Sequence, residues 1–97
     1  MVFIQTPLQT TIVPDAKSFS HDDADQVCKL ATLAGAAKRI VIDMAGASEA
    51  STSAFARLVL LRRTLLRSGR DLRLMNLRDA AAGLYEVIRL ADVLPRI

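Results

Sequence analysis

Two strand-like runs, "KRIVIDM" (Lys38–Met44) and "DLRLMNL" (Asp71–Leu77), flank one long amphipathic segment, and this arrangement restricts the fold more than any other feature. The first run is almost continuously apolar, which predicts a central strand covered on both sides. The second reads as another central strand. Two such strands joined through one helix pair in parallel by a right-handed crossover. The loop "AGASEA" (Ala45–Ala50) then leaves the carboxyl end of a parallel strand, where open α/β sheets place their sites.

The remaining segments fit around that unit. Val2–Gln5 and Thr10–Val13 are short β-rich runs separated by "TPLQ", whose Pro7 interrupts any ladder, so both read as edge strands. Ser20 precedes a helix with Asp22 and Asp23 in its first turn and Gly35 as its stop. Ala24, Val27, Cys28, Ala31 and Ala34 recur at helical spacing and form its buried face. A second helix opens at Ser51-Thr52-Ser53 and runs to about Arg67, where Ser68-Gly69 ends it. Asp79 caps a third helix reaching about Arg89, which buries Ala81, Leu84, Tyr85 and Ile88. "DVLP" closes the chain as a short extended piece. The order is β-β-α-β-α-β-α, a single α/β domain over residues 1–97 with a mixed sheet whose central strands are parallel, packed against three to four helices.

On the second helix, Phe55, Leu58, Val59, Leu65 and Leu66 share one face. Arg62 falls within that face, where its stem packs and its head reaches water. Leu60 falls outside it, among Arg57, Arg63 and Arg67. A leucine ringed by arginines suits a protein-binding surface.

Charge and inventory narrow the function. Residues 1–50 hold four bases and six acids, whereas residues 51–97 hold nine Arg and four acids, giving −2 and +5. A basic half points to nucleic acid or an anionic surface, or to a solvated helix face. The four aromatics, Phe3, Phe19, Phe55 and Tyr85, supply no stacking platform for single-stranded nucleic acid. Cys28 is the only cysteine, so no disulfide framework forms within the chain. With neither a membrane-length apolar run nor a signal-peptide pattern, a cytoplasmic protein without membrane insertion is expected. One His and one Cys, with no catalytic partners nearby in sequence, predict a non-enzyme. Asp22, Asp23 and Asp25 are explained by the helix dipole, and neither a metal nor a cofactor is expected.

The hydroxyl triplet is the remaining feature. One hydroxyl, from Ser51 or Thr52, suffices to cap the helix. Three in a row leave at least one free at an exposed helix start.

Residues 38–95, with the hydroxyl-bearing helix start, the long helix ending at Gly69, the strand "LRLMNL" and the "LADVLP" ending, resemble the STAS domain of sulfate transporters and anti-sigma factor antagonists. The resemblance implies a STAS-like fold for the whole chain. In the antagonists an Asp-Ser-Ser-Gly-Leu motif opens this helix, and a partner kinase phosphorylates the residue after the Asp. Ser51 falls at the Asp position, Thr52 at the phosphorylated hydroxyl, Ser53 next, Ala54 at the Gly and Phe55 at the Leu. The chain thus departs from the motif at Ser51 and Ala54. Thr52 is the implied acceptor, ahead of Ser51 and Ser53. The implied partner surface is Glu49, Ala50, Ser51, Thr52, Ser53, Ala56, Arg57 and Leu60, and the implied partner an anti-sigma factor or serine kinase. A second branch, the small STAS subunit that binds the ATPase of a phospholipid-trafficking ABC transporter, is similar in length, in its Thr and in its "ADVLPR" ending.

The net charge of +3 is small and no reading-helix signature is present. Electrophoretic mobility shift at physiological salt is expected to show no sub-micromolar, sequence-selective binding of nucleic acid.

Overall fold

The computed structural model describes residues 1–33 and 37–97, so the expected packing of Ala34 and the stop at Gly35 lie outside the described residues. The core is organised by two rows of side chains that run straight across parallel strands. β1 (Val2–Gln5) pairs antiparallel with β2 (Gln9–Val13). Next across the sheet come the fourth and sixth strands of the chain, β4 (Arg39–Asp43) and β6 (Asp71–Met75), each parallel to its neighbour. Their register aligns Thr10, Ile40 and Leu72 in one row and Ile12, Ile42 and Leu74 in the next. All six are fully buried.

Over these rows lie α1 (His21–Leu33) and α2 (Thr52–Arg67), whose buried residues all belong to the same cluster as Ile12, Ile40, Ile42, Leu72 and Leu74. Strand alternation puts Thr11, Val41 and Arg73 on the other face of the sheet, and none of them joins that cluster. Val41 is nevertheless fully buried, so the centre of β4 is covered on both sides, as expected. The buried faces of α1 and α2 serve one face of β4. On the other, Val41 lies between its register partners Thr11 and Arg73, with the polar Arg39 and Asp43 further along the strand on either side.

Corrections concern the strands. β2 is paired on both sides, so it is an interior strand, not an edge. β6, expected to be central, ends the sheet, laddered with β4 alone apart from one bridge to the tail. Pro7 falls in the hairpin turn, which the Thr6 N–H closes onto the Gln9 carbonyl at 2.8 Å, and costs no ladder bond. "AGASEA" is not wholly loop: β5 (Glu49–Ala50) pairs in parallel with β3 (Ser18–Phe19) as a separate two-stranded ribbon. Two residues carry too little pattern to announce a strand.

Helix ends follow local chemistry. At the start of α1 the Asp23 N–H donates to Ser20 Oγ (3.2 Å) while the Ser20 N–H donates to Asp23 Oδ2 (2.9 Å), a reciprocal capping box. As expected, Ala24, Val27, Cys28 and Ala31 are its buried residues. α2 ends at Gly69, whose φ of 75° lets the Arg70 N–H turn back to the Leu65 carbonyl (2.9 Å). α3 (Asp79–Val87) differs from expectation: its N-cap is Arg78, and Asp79 bonds the Arg78 guanidinium at 2.5 Å instead of capping. It fully buries Ala81 and Tyr85, with Leu84 and Ile88 half-buried. In α2 the buried face is Ala54, Phe55, Leu58, Leu61 and Leu65; contrary to expectation Leu66, 46% exposed, lies outside it, and Val59 is half-buried.

Beyond α3, Leu90–Asp92 form a 3₁₀ turn, not the expected extended piece. Extended pairing is delayed to Arg96, which bridges Leu74. This tail is held by the buried Tyr85 hydroxyl, which donates to the Leu94 carbonyl at 2.8 Å. The Arg62 stem packs as expected and its head stays partly exposed, but that head is tied down and not free in water. The side chain is 16% exposed, with Nε on Asp71 Oδ1 (2.9 Å) and a second nitrogen on the Val93 carbonyl (3.3 Å). A charged head kept this close to the core needs a carboxylate and the fold supplies one. Among the described residues no helix is long and apolar enough to cross a membrane.

Burial opposes ionisation of Asp71, but the Arg73 guanidinium, the Leu72 N–H and Arg62 together hold its carboxyl below the ordinary value. The folded pKa therefore lies below the unfolded one. Ionised Asp71 contributes stability fully above about pH 5, and this is lost as pH falls through the folded value. Urea unfolding from about pH 7 to about pH 2 should show this decline, and Asp71→Asn should lower stability at neutral pH and flatten the acid limb.

Candidate functional site

Ser51 sits between β5 and α2 with extended backbone, φ −89° and ψ 155°, and its N–H reaches back to the Phe19 carbonyl at 3.1 Å. The β3–β5 ribbon thereby fixes where α2 begins. Ser51 Oγ accepts from the Ala54 N–H at 3.1 Å, which makes it the cap. Ser53 Oγ lies 3.2 Å from Ser51 Oγ and shares that bond network. Thr52 is exposed, and its hydroxyl has no hydrogen-bond partner among the described residues. Of three neighbouring hydroxyls, one caps, one braces the cap and one is free.

Thr52 also opens a groove of about 430 Å³ that runs between α2 and the 3₁₀ turn. One wall is Thr52, Ala56, Val59 and Leu60; the other is Ile88, Leu90 and Val93. Apart from the Thr52 hydroxyl, every side chain in it is apolar. Leu60 and Val93 remain 52% and 46% exposed, one on each wall. A contiguous apolar trough of this kind on a small domain marks a binding surface.

The other expected residues divide. Glu49, Ala50 and Ser51 line a smaller pocket of about 230 Å³ with Ser18, Phe19 and Ser20, on the ribbon side of the helix start. Glu49 is exposed, and its carboxylate accepts from Ser18 Oγ at 2.9 Å. Arg57 is turned away from the groove: its Nε donates to Asp25 Oδ1 at 3.0 Å, tying α2 to α1. Asp25 also lies 3.5 Å from His21 Nε2, at the exposed start of α1. Cys28 lies beside this ion pair, and burial, the largest influence, pushes its thiol pKa up, as suits an unreactive packing residue.

Val59, Ile88, Leu90 and Val93 were not anticipated as site residues. Val59 and Ile88 carry the spacing of core positions, and half-burial against a groove leaves the same pattern as half-burial against a core. Leu90 and Val93 enter only because the tail turns as a 3₁₀ helix.

The loops at the carboxyl ends of β4 and β6, the other place to look for a ligand, are occupied by their own contacts. Asp43 Oδ1 accepts from the Ala45 N–H and from Asn76 Nδ2, both at 3.0 Å, while Arg78 Nε donates to the Ala45 carbonyl at 2.6 Å. Among the described residues no group of three or more His, Cys, Asp or Glu could hold a metal ion.

The arginines are equally unevenly engaged. Arg57, Arg62, Arg73, Arg78 and Arg96 each hold a carboxylate, and Arg70 donates to the Ala37 carbonyl. Only Arg63, Arg67 and Arg89 of the basic half lack a partner among the described residues. The excess of positive charge in the sequence is thus largely a set of internal ties.

No protein-family model matches the chain, and no curated protein is significantly similar to it in sequence.

The division of labour among the hydroxyls gives a direct expectation. Ser51→Ala should lower the stability measured by urea unfolding by about 1 kcal/mol, through loss of the cap. Thr52→Val should leave it within about 0.5 kcal/mol of wild type, because the Thr52 hydroxyl bonds nothing.

Proposed function

We propose that this protein is a non-catalytic, cytoplasmic interaction module of the STAS-like, anti-sigma factor antagonist type, which docks a kinase-like or anti-sigma partner on the surface around the start of α2 and is switched by phosphorylation of Thr52. The observation that carries the reading is the free, exposed Thr52 hydroxyl at the mouth of an apolar groove. Ser51 and Ser53, its alternatives as acceptor, are joined to each other and to the cap.

The chemistry of the switch follows from position. A phosphate on Thr52 would add a charge of about −1.5 to −2 at neutral pH. At the first residue of a helix it would meet free N–H groups and the positive end of the dipole, so the fold tolerates it. The cost falls on the complex, where a dianion would be desolvated in the middle of the docking surface. The motif departures have matching consequences. Ser51 caps as an Asp would but leaves the helix start without a carboxylate, so no acid in α2 competes with an incoming phosphate. Ala54 is fully buried, and its methyl joins the core that a Gly would leave unfilled.

The test is partner binding by three variants, each first checked for native unfolding. Thr52→Glu should keep the fold and weaken the partner complex at least tenfold, about 1.4 kcal/mol. Thr52→Val should bind as wild type and resist modification by the kinase. Thr52 phosphate that leaves partner affinity unchanged removes the switch.

A further inference from the structure

We infer that the groove between α2 and the 3₁₀ turn receives a single amphipathic helix of the partner, apolar on the face it buries and acidic along its flanks. The inference rests on the proposed reading of this surface as a protein-binding one and names what is bound there.

Shape is the first argument. Thr52, Ala56, Val59 and Leu60 follow one another at helical spacing along a single stripe of α2. At 1.5 Å per residue that stripe is about 12 Å long, roughly two helical turns. A partner helix offers anchors at i, i+3 or i+4, and i+7, which match a trough of this length. It also arrives with its backbone hydrogen bonds already made, so it needs only the apolar contact the groove supplies. An acyl chain lying in a trough whose Leu60 and Val93 walls are half-open would keep much of its length in water.

Charge selects the flanks. α2 contains no acidic residue at all. Past Leu60 its stripe continues as Arg63 and Arg67, both exposed, and on the other wall Arg89 stands exposed between the groove residues Ile88 and Leu90. These are the three arginines of the basic half with no partner among the described residues; five others hold a carboxylate and Arg70 holds the Ala37 carbonyl. Asp92 is exposed in the 3₁₀ turn beside them, but the nearby Asp71 and Glu86 are already held by arginines, so the groove margin keeps a positive excess. Arginines left unpaired around an apolar trough complement carboxylates on a partner and penalise lysines there.

This chemistry also fixes the sign of the switch. Thr52 stands at one end of the stripe, so a phosphate there adds negative charge next to an acid-flanked helix and repels it. A lysine-flanked helix would be drawn in by the same modification.

The experiment uses the full chain and a synthetic helical peptide with Leu at i, i+3, i+4 and i+7 and Glu on both flanks. A Lys-flanked twin and a scramble of the Glu peptide serve as controls, and binding is read by fluorescence anisotropy at about 0.15 M salt. The Glu peptide should bind, with its twin and the scramble at least tenfold weaker. Leu60→Asp should weaken the Glu peptide at least tenfold, and Leu60 is exposed enough that the fold should survive. The double variant Arg63→Glu, Arg89→Asp should reverse the preference between the twins. The inference is overturned by no binding of the Glu peptide up to about 1 mM, by equal binding of twin or scramble, or by an indifferent Leu60→Asp. Flotation with phosphatidylglycerol vesicles that depends on Leu60, without peptide binding, would assign the groove to lipid and overturn it too. With the natural partner, loss in Leu60→Asp but not in Thr52→Glu would keep the groove and remove the switch. The opposite pattern would keep the switch and remove the groove.

Discussion

Everything in this molecule depends on keeping Ile40 and Ile42 of β4 dry. They sit at the centre of two rows, between Thr10 and Leu72 and between Ile12 and Leu74, and the buried faces of α1 and α2 close over them. Each fully buried side chain of this kind is worth about 1.5–3 kcal/mol relative to exposure. Closing that one face requires β2, β4 and β6 to run in parallel with helices between them, which sends the chain back over the same side each time. The start of α2 is carried to the carboxyl end of the sheet as a consequence. The hydroxyl cluster is therefore displayed by the hydrophobic core, not by a loop of independent shape.

Around that core the charged residues act mostly as ties. Asp71 joins Arg62 of α2 and Arg73 of its own strand, and Asp25 joins Arg57 of α2 to α1. Ion pairs of this exposure contribute little individually, but Arg62 also reaches the Val93 carbonyl and so positions the tail against α2. Tyr85 holds the same tail from the other side through Leu94, while its ring packs edge-on to Phe55 with centroids 6.3 Å apart. These contacts build the second wall of the groove. The binding surface is thus a by-product of how the last residues are anchored, and arginines that serve as anchors are removed from the pool that could meet a ligand.

A single cap explains why one hydroxyl is available. The Ser51 side chain satisfies the Ala54 N–H, and Ser53 leans on Ser51, so Thr52 is left outside the network. An Asp at position 51 would cap equally well and add a charge beside the acceptor. With Ser there, the helix dipole is the nearest fixed field that an anion on Thr52 would meet.

By itself the sequence determined the parallel α/β unit, because an apolar run, an amphipathic helix ended by Ser68-Gly69 and a second strand leave few alternatives. It also determined the Ser20 helix start, the Ala24, Val27, Cys28 and Ala31 face, and the presence of a spare hydroxyl in the triplet, since local chemistry decides each within a turn or two. The tertiary structure decided what depends on partners distant in sequence. Only pairing showed β2 to be interior and β3–β5 to exist, for a two-residue strand has no periodicity to read. Only packing rotated the buried face of α2 toward Leu61 and away from Leu66, and found for Arg62 the carboxylate of Asp71. Which hydroxyl is free is settled within the triplet by side-chain geometry. The apolar groove and the ties of Arg57 and Arg70, by contrast, are contacts between segments some tens of residues apart, which local sequence patterns do not encode.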